Sequence, residues 1–183
     1  MYADLVCCDV PKKLQNDSEF ASYFDCRKLR FCKSRRIKDF NECDVLSTDS
    51  LEVIRAGAKR TKLIFLSNFK ADAGIVRTVA IAKRCFLIPL APLLKSDEIE
   101  KGRMIGRMKL FVSLCVKYKA EYALVTMAQD EYQLRSVKEI CAIGQLLGLT
   151  REQSLYSLTH LKHLLKEKEE KSGDEASSKC PTV

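Results

Sequence analysis

The stretch at residues 122–150, YALVTMAQDEYQLRSVKEICAIGQLLGLT, contains the clearest local signals in the chain. Its apolar start, residues 122–126, is too short for a helix and is typical of a strand covered on both faces of a parallel sheet. Ser136 and Glu139 then have the spacing of a capping box, which predicts a helix start, and Gly148 predicts its end. Thr150 and Gln153 repeat the capping spacing for a second helix. The stretch therefore predicts a strand, a loop and two helices.

Arg135 lies one residue before the predicted helix cap, at the end of the buried strand. A guanidinium beside free helix N–H groups suits a phosphate oxygen. A structural pair with a carboxylate at the end of the sheet explains the same spacing. The spacing by itself leaves both roles open.

Strands and helices are predicted to alternate along the rest of the chain. Strands are expected at residues 2–9, 29–32, 44–47, 62–67 and 85–89, and helices at 15–24, 50–59, 75–84 and 97–119. We expect Asp49 and Ser96 to cap the second and fourth of these helices. A repeat of roughly two dozen residues points to parallel βα units. Six or seven such units fit either an open sheet or a small, irregular barrel, since a full barrel usually needs ~250 residues.

Composition indicates one globular domain at residues 1–165, followed by a charged, disordered tail at 166–183. No apolar run approaches the ~20 residues that span a bilayer, and the first residues lack the layout of a signal peptide. Nine cysteines in such a chain predict reduced thiols and a cytoplasmic location.

The net charge of +8 is concentrated in residues 26–38. This segment has seven basic residues and no acid, and subtracting 7 from 32 leaves 25 basic against 24 acidic residues in the rest of the chain. Such a segment attracts polyanions, and Phe31 within it is suited to stacking on an unpaired base. A solvated basic turn is the alternative. The seven cations are Arg27, Lys28, Arg30, Lys33, Arg35, Arg36 and Lys38.

The long helix predicted at residues 97–119 has a second pair of cations. Arg103 and Arg107 are four residues apart, off the apolar stripe, so they hold phosphates on successive turns, stay solvated, or pair with Glu100. Gly102 and Gly106 weaken the helix, which suggests a closely packed partner there. The predicted buried stripe comprises Met104, Met108, Phe111, Val112 and Cys115.

Few side chains are available for catalysis by the protein alone. The two histidines, His160 and His163, are predicted to lie opposite the apolar stripe of the last helix, as a solvated pair. The chain has no Cys-x-x-Cys motif, and no histidine is near a cysteine before Cys180, so neither structural zinc nor an activated thiol is supported. We expect no catalytic residue and no protein-bound metal.

Three motifs together resemble protein component 3 of archaeal ribonuclease P and its eukaryotic counterpart. The segment AQDEYQLRSVKEICAIGQLLGLT at residues 128–150 is similar to the family's C-terminal signature, APLL at 91–94 to its Pro-Leu-Leu segment, and DAGI at 72–75 to its Asp-Pro-Gly-Ile motif. The resemblance covers residues 44–158. Val137 and Glu139 replace the Pro and Asp of the family's Arg-x-Pro-x-Asp motif, and Val76-Arg77 stands where a His is common.

The resemblance implies a fold and a function. It favours a distorted, compact β/α (TIM-like) barrel of six or seven units over the open sheet. In this family the RNA subunit, with magnesium, removes the 5′ leader from precursor tRNA. The protein binds that RNA and works with component 2 in a heterotetramer, so no cofactor is expected on the protein. Arg77 and Arg135 join the expected RNA contacts. A metal-dependent phosphoesterase or hydrolase of a related barrel family is the alternative.

Overall fold

The computed structural model describes residues 2–12, 20–32, 43–69 and 72–177, with side chains at 2–12, 22–32, 43–69 and 72–165. The strands are β1 (Tyr2–Val6), β2 (Phe20–Asp25), β3 (Phe31–Cys32), β4 (Val45–Ser47), β5 (Leu63–Phe65), β6 (Cys85–Pro89) and β7 (Glu121–Val125). The α-helices are α1 (Leu51–Gly57), α2 (Ala73–Ile81), α3 (Ala91–Lys95), α4 (Glu98–Tyr118), α5 (Val137–Leu146) and α6 (Arg151–Ser177). Short 3-10 helices follow β2, at Cys26–Lys28, and β7, at Glu131–Gln133.

All strand pairs in the described residues are parallel. Five strands form one sheet in the order β3-β4-β5-β6-β7, and β1 pairs with β2 in a separate two-stranded sheet. The prediction of α/β units is confirmed, whereas the predicted closed barrel is wrong, because within the described residues no strand ladder joins the two sheets.

A buried carboxylate explains why β1 does not extend the larger sheet beside β7. Asp4 is fully buried in β1, and its Oδ1 accepts the backbone N–H of Thr126 at 2.8 Å, so a side chain occupies the place of a strand partner. Among the described residues, backbone bonds between the two sheets occur only past the end of β7. There Met127 donates its N–H to the Leu5 carbonyl at 2.8 Å, and Cys7 donates to the Ala128 carbonyl at 2.7 Å.

Alternation along the central strands builds two apolar layers. In β6, Phe86 and Ile88 belong to one buried cluster, which includes Phe111 of α4, while Cys85 and Leu87 belong to the other. This period of two is expected when both faces of a sheet are covered. The second cluster also contains Leu5, Cys26, Leu161 and Leu165, so β1, the end of β2 and α6 cover that face.

The prediction of a helix at residues 15–24 is wrong for the residues of that range that the structure describes. Residues 20–25 form β2, and residues 13–19 lie outside the described part of the chain. Phe20 and Phe24 are four residues apart, which fits a helical period of 3.6 and equally a strand period of two. In β2 the side chains alternate, since Tyr23 packs on the first cluster and Phe24 on the second.

Two of the predicted helix caps are shifted. Ser50 occupies the cap of α1, and the Asp49 carboxylate instead accepts the N–H of Ser67 at 3.1 Å, which ties the end of β4 to the end of β5. At α4 the cap is Asp97, whose carboxylate accepts the Glu100 N–H at 2.8 Å. Both helices are confirmed with a cap one residue later than predicted, and of the two observed cap residues Asp97 makes a side-chain capping bond whereas Ser50 does not.

The buried stripe of α4 is confirmed for four of its five members. Met108, Phe111, Val112 and Cys115 are fully buried, while Met104 is half-buried at the edge of the cluster. This stripe places the long helix across the first face of the sheet.

The helical pair α5–α6 begins as predicted. The Ser136 hydroxyl accepts the Glu139 N–H and the Glu139 carboxylate accepts the Ser136 N–H, so the capping box is confirmed. Thr150 and Gln153 exchange the corresponding bonds at 2.9 and 3.2 Å. Helix α6 continues to Ser177, beyond the boundary predicted at residue 165, and residues 178–183 lie outside the described structure.

One cysteine pair departs from the expected reduced thiols. A disulfide joins Cys7 to Cys26, connecting the end of β1 to the 3-10 helix that follows β2. The other cysteines in the described side chains form no disulfide: Cys8, Cys32, Cys43, Cys85, Cys115 and Cys141.

A candidate nucleic-acid interface

The structure describes part of the predicted basic segment. Arg27, Lys28 and Arg30 are exposed, and they flank the end of the 3-10 helix after β2. The predicted contacts Lys33, Arg35, Arg36 and Lys38 lie outside the described residues.

Both exposed arginines, Arg27 and Arg30, are already paired with carboxylates. Arg27 contacts Asp25 through Nε at 2.9 Å and Asp9 through Nη2 at 2.5 Å, and these bonds raise the pKa of Arg27 and lower the pKa of Asp25. Arg30 lies 3.6 Å from Asp44. The Arg27–Asp9 pair is exposed and therefore weak, so a phosphate can replace Asp9 at small cost. The Asp44 side chain is only 9% exposed, so the same argument does not extend to its pair with Arg30.

Phe31 is less available for stacking than the sequence suggests. The residue is half-buried in β3, and its ring meets the edge of Phe65 with the centroids 6.2 Å apart. Its apolar contacts join the second core cluster.

The end of the β1–β2 sheet lies close to the loop that follows β7. Burial raises the pKa of the Cys8 thiol, Asp130 raises it further, and Arg27 lowers it. Both charged residues therefore act on one half-buried thiol. The disulfide from Cys7 and the backbone bond from Cys7 to Ala128 bring the two segments to the same end of the molecule.

The loop after β7 is held by its own polar side chains. Asp130 caps the 3-10 helix by accepting the Gln133 N–H at 3.1 Å, and the Gln133 amide oxygen accepts the Gln129 N–H at 3.1 Å. Lys95 of α3 donates to the Gln129 side chain. Met127 has a φ of 47°, which turns the chain sharply as it leaves the strand.

Arg135 is bonded to backbone carbonyls of its own loop. Its Nη1 donates to the Tyr132 and Leu134 carbonyls, each at 2.7 Å, so the guanidinium holds the 3-10 helix against the start of α5. The nearby helix N-terminus is also in use. Glu139 accepts the Ser136 N–H, and this bond, the Ser136 hydroxyl and Arg135 lower the pKa of Glu139.

Tyr132 is an exposed aromatic residue that the motif-based reasoning missed. The residue is 82% exposed, yet its backbone carbonyl is fixed by Arg135. Exposed aromatic rings on rigid loops suit base stacking. The sequence feature that could have indicated Tyr132 is a tyrosine three residues before an arginine in a polar loop.

The remaining predicted cations lie on the helices covering the other face of the sheet. Arg77 in α2 lies over the Tyr118 ring, with its guanidinium carbon 4.7 Å from the centroid, and donates to the Tyr118 hydroxyl at 3.3 Å. Arg103 and Arg107 are exposed near the start of α4. From Arg107 to Tyr118 the helix rises roughly 16 Å, so these arginines form a group apart from Arg77.

Within the described part of the chain, the two glycines of α4 have no close neighbour that explains them. A β-carbon built on Gly102 or Gly106 meets no atom within 4 Å. This stretch of helix is open, with Ile99 and Leu110 exposed nearby.

The histidine pair is not equally solvated. His160 is half-buried, stacks on Tyr156 with centroids 5.6 Å apart, and lies 3.6 Å from the Glu121 carboxylate. His163 is exposed, as predicted. Among the described residues, no three or more His, Cys, Asp or Glu side chains are grouped so as to hold a metal ion.

Within the part of the chain that the structure describes, no helix has the length and apolarity to cross a membrane.

Together these features define a parallel α/β protein with exposed cations around the end of β7 and along α4. Its fold is similar to that of a chain in the cryo-EM structure of archaeal ribonuclease P with mature tRNA, with a TM-score of 0.61 and 14% sequence identity. The alignment covers 85% of this chain and 77% of that chain. At this identity the similarity shows a shared fold. No family model matches the sequence, and no curated protein matches it.

Proposed function

We propose that this chain is an RNA-binding protein subunit of ribonuclease P, which assists the catalytic RNA in removing the 5′ leader from precursor tRNA. The observation that carries the proposal is the fold similarity over 85% of the chain to a chain from the archaeal ribonuclease P structure. The motifs at residues 72–75, 91–94 and 128–150, which resemble protein component 3, support it independently of the fold.

The surface chemistry agrees with binding to a polyanion. Arg103 and Arg107 extend from successive turns of an exposed helix, at a spacing that allows both to reach one phosphate backbone. Arg27 is exposed enough to exchange its Asp9 partner for a phosphate. Each phosphate neutralised releases condensed counterions, which makes binding favourable and salt-dependent.

In this role the chain screens charge, and the chemistry belongs to the RNA. Magnesium bound to the RNA supplies the hydrolytic step, while cationic protein surface lowers the repulsion between phosphates of the folded RNA and its tRNA substrate. We further propose a heterotetramer with component 2, in which two copies of each protein present such surfaces together.

Co-purification followed by sequencing of the bound RNA tests the proposal. We expect enrichment of one structured RNA and of precursor tRNA. Reconstitution with that RNA and the partner protein should lower the magnesium concentration needed for cleavage. Recovery of no specific RNA would contradict the proposal. So would cleavage of precursor tRNA or small phosphodiesters by the isolated protein with manganese, which would favour the hydrolase alternative.

A charge-neutralising pair on α4 tests the interface itself. Changing Arg103 and Arg107 to Gln should reduce the log–log salt slope of RNA binding by ~0.9 for each duplex phosphate that the protein no longer neutralises. Lys59→Gln removes one charge from an exposed turn outside the proposed interface and should leave the slope unchanged. If the double variant keeps the wild-type slope, α4 does not contact RNA.

A further inference from the structure

A groove between α5 and α6 has the lining of a ligand site. Its cavity volume is about 510 Å³, within the range of ~300–1,000 Å³ that is usual for small-molecule sites. Val137 and Cys141 of α5 are buried in its floor, and half-buried Leu155 of α6 and Tyr2 of β1 complete the apolar part.

The rim of the groove is polar and cationic. Lys138 and Gln145 of α5 and Arg151 of α6 line it, and all three are exposed. The described residues that line the groove include no carboxylate. The Arg151 guanidinium therefore favours an anion at the rim, above an apolar floor.

The two helical walls are held in fixed relation. Lys138, Cys141 and Gln145 recur at intervals of three and four along one side of α5, and Arg151 and Leu155 are four apart on α6. A β-carbon on Gly144 would overlap the Ser154 hydroxyl, so the helices are in close contact beside the groove. The capping bonds of both helices fix where the walls begin. The groove is therefore preformed, which lowers the entropic cost of binding.

We propose that this groove binds one unpaired nucleotide of an RNA, with the phosphate at Arg151 and the base over the apolar floor. The choice of ligand rests on the proposed function, because the positive rim alone would also accept an acidic peptide. The compact volume and the aromatic contribution of Tyr2 favour a nucleotide, whose base presents a flat apolar face.

Gln145 is placed to give this site base preference. Its amide both donates and accepts hydrogen bonds, so it can pair with the polar edge of a base held on the floor. Arginine suits the phosphate because its planar guanidinium presents several donors to one anion.

Equilibrium dialysis with adenosine 5′-monophosphate tests the site on the full chain. We expect saturable binding at one site, with adenosine and inorganic phosphate each binding at least about tenfold more weakly. Arg151→Gln should weaken nucleotide binding by about tenfold or more, since it removes charge-assisted hydrogen bonds. Lys138→Gln should cause a smaller loss. Gln145→Leu should alter the preference among the four ribonucleoside monophosphates.

The controls separate this inference from folding and from the proposed function. Lys59→Gln carries the same change of charge away from the groove and should bind the nucleotide as wild type does. Thermal melts check that each variant folds. Since Arg151 and Lys138 are exposed, we expect their substitution to leave the melting temperature nearly unchanged. The inference is overturned if the nucleotide does not saturate, if Arg151→Gln binds it normally, or if an acidic peptide binds the groove while the nucleotide does not compete. If the nucleotide does not bind but specific RNA still co-purifies, this inference is wrong and the proposed function stands. If the nucleotide binds but no specific RNA co-purifies, the proposed function is contradicted.

Discussion

Asp4 is the position at which the structure makes its sharpest prediction. The carboxyl group is fully buried and receives three hydrogen bonds: the N–H groups of Leu5 and Thr126 at 2.8 Å, and the Thr126 hydroxyl at 2.6 Å. Burial raises its pKa from 3.8 to about 6, and the hydrogen bonds to Thr126 and Leu5 partly oppose this rise. The carboxylate thus bridges the two sheets but is costly to keep charged.

The pKa shift sets a magnitude and a direction for stability. The difference between 3.8 and about 6 is roughly two pKa units, which corresponds to about 3 kcal/mol at ~1.4 kcal/mol per unit. Because the folded state holds the proton more tightly, the contribution of Asp4 is most favourable below pH 3.8. That advantage is lost as the pH rises through about 6.

Asp4→Asn removes the charge and keeps the shape. The amide oxygen can accept the N–H groups of Leu5 and Thr126, and the amide nitrogen can donate to the Thr126 hydroxyl oxygen. At pH 7 we expect the variant to exceed the wild type in free energy of unfolding by up to about 3 kcal/mol, and at pH 4 by only about 0.5 kcal/mol.

Urea unfolding followed by circular dichroism at pH 4, 5, 6 and 7 measures this difference. Subtracting the wild type from the variant cancels the titration of all other groups. Glu152→Gln, an exposed change of the same kind, should stay within about 0.5 kcal/mol at every pH. A difference for Asp4→Asn that is flat between pH 4 and 7 would refute the buried, charged carboxylate.

Four further substitutions test the helix packing, the disulfide and the bonds of Arg135. Gly144→Ala should lower the free energy of unfolding by about 1–3 kcal/mol by overpacking α5 against α6, whereas Gly102→Ala in open helix should raise it by up to about 1 kcal/mol; equal melting temperatures would contradict the close approach. Cys26→Ser should be about 3 kcal/mol less stable than the oxidised wild type, as expected for a cross-link spanning 19 residues, and should differ much less from the reduced wild type; a variant as stable as the oxidised wild type would exclude the disulfide. Arg135→Ala should lower the free energy of unfolding by about 1 kcal/mol, because its two carbonyl bonds are removed. Unchanged stability with weakened RNA binding would instead favour the phosphate role for Arg135.

Local sequence determined most of the elements. The capping hydrogen bonds of Ser136 and Thr150 form as predicted, because each bond joins groups three residues apart and needs no distant partner. The apolar run of β7 and the stripe of α4 are likewise set by short-range periodicity. The resemblance to the ribonuclease P protein depends on the same local motifs, and the fold similarity agrees with it.

Tertiary structure decided how these elements meet. Phe20 and Phe24 fit a helix or a strand equally, and only pairing with β1 makes the segment β2. The sheet stays open beside β1 because the Asp4 carboxylate, distant in sequence from Thr126, takes the N–H that a neighbouring strand would use. The partners of Arg135 depend in the same way on how the loop after β7 folds back. In each case one group could interact with more than one partner. Periodicity along the chain does not show which partner lies beside that group in the folded protein.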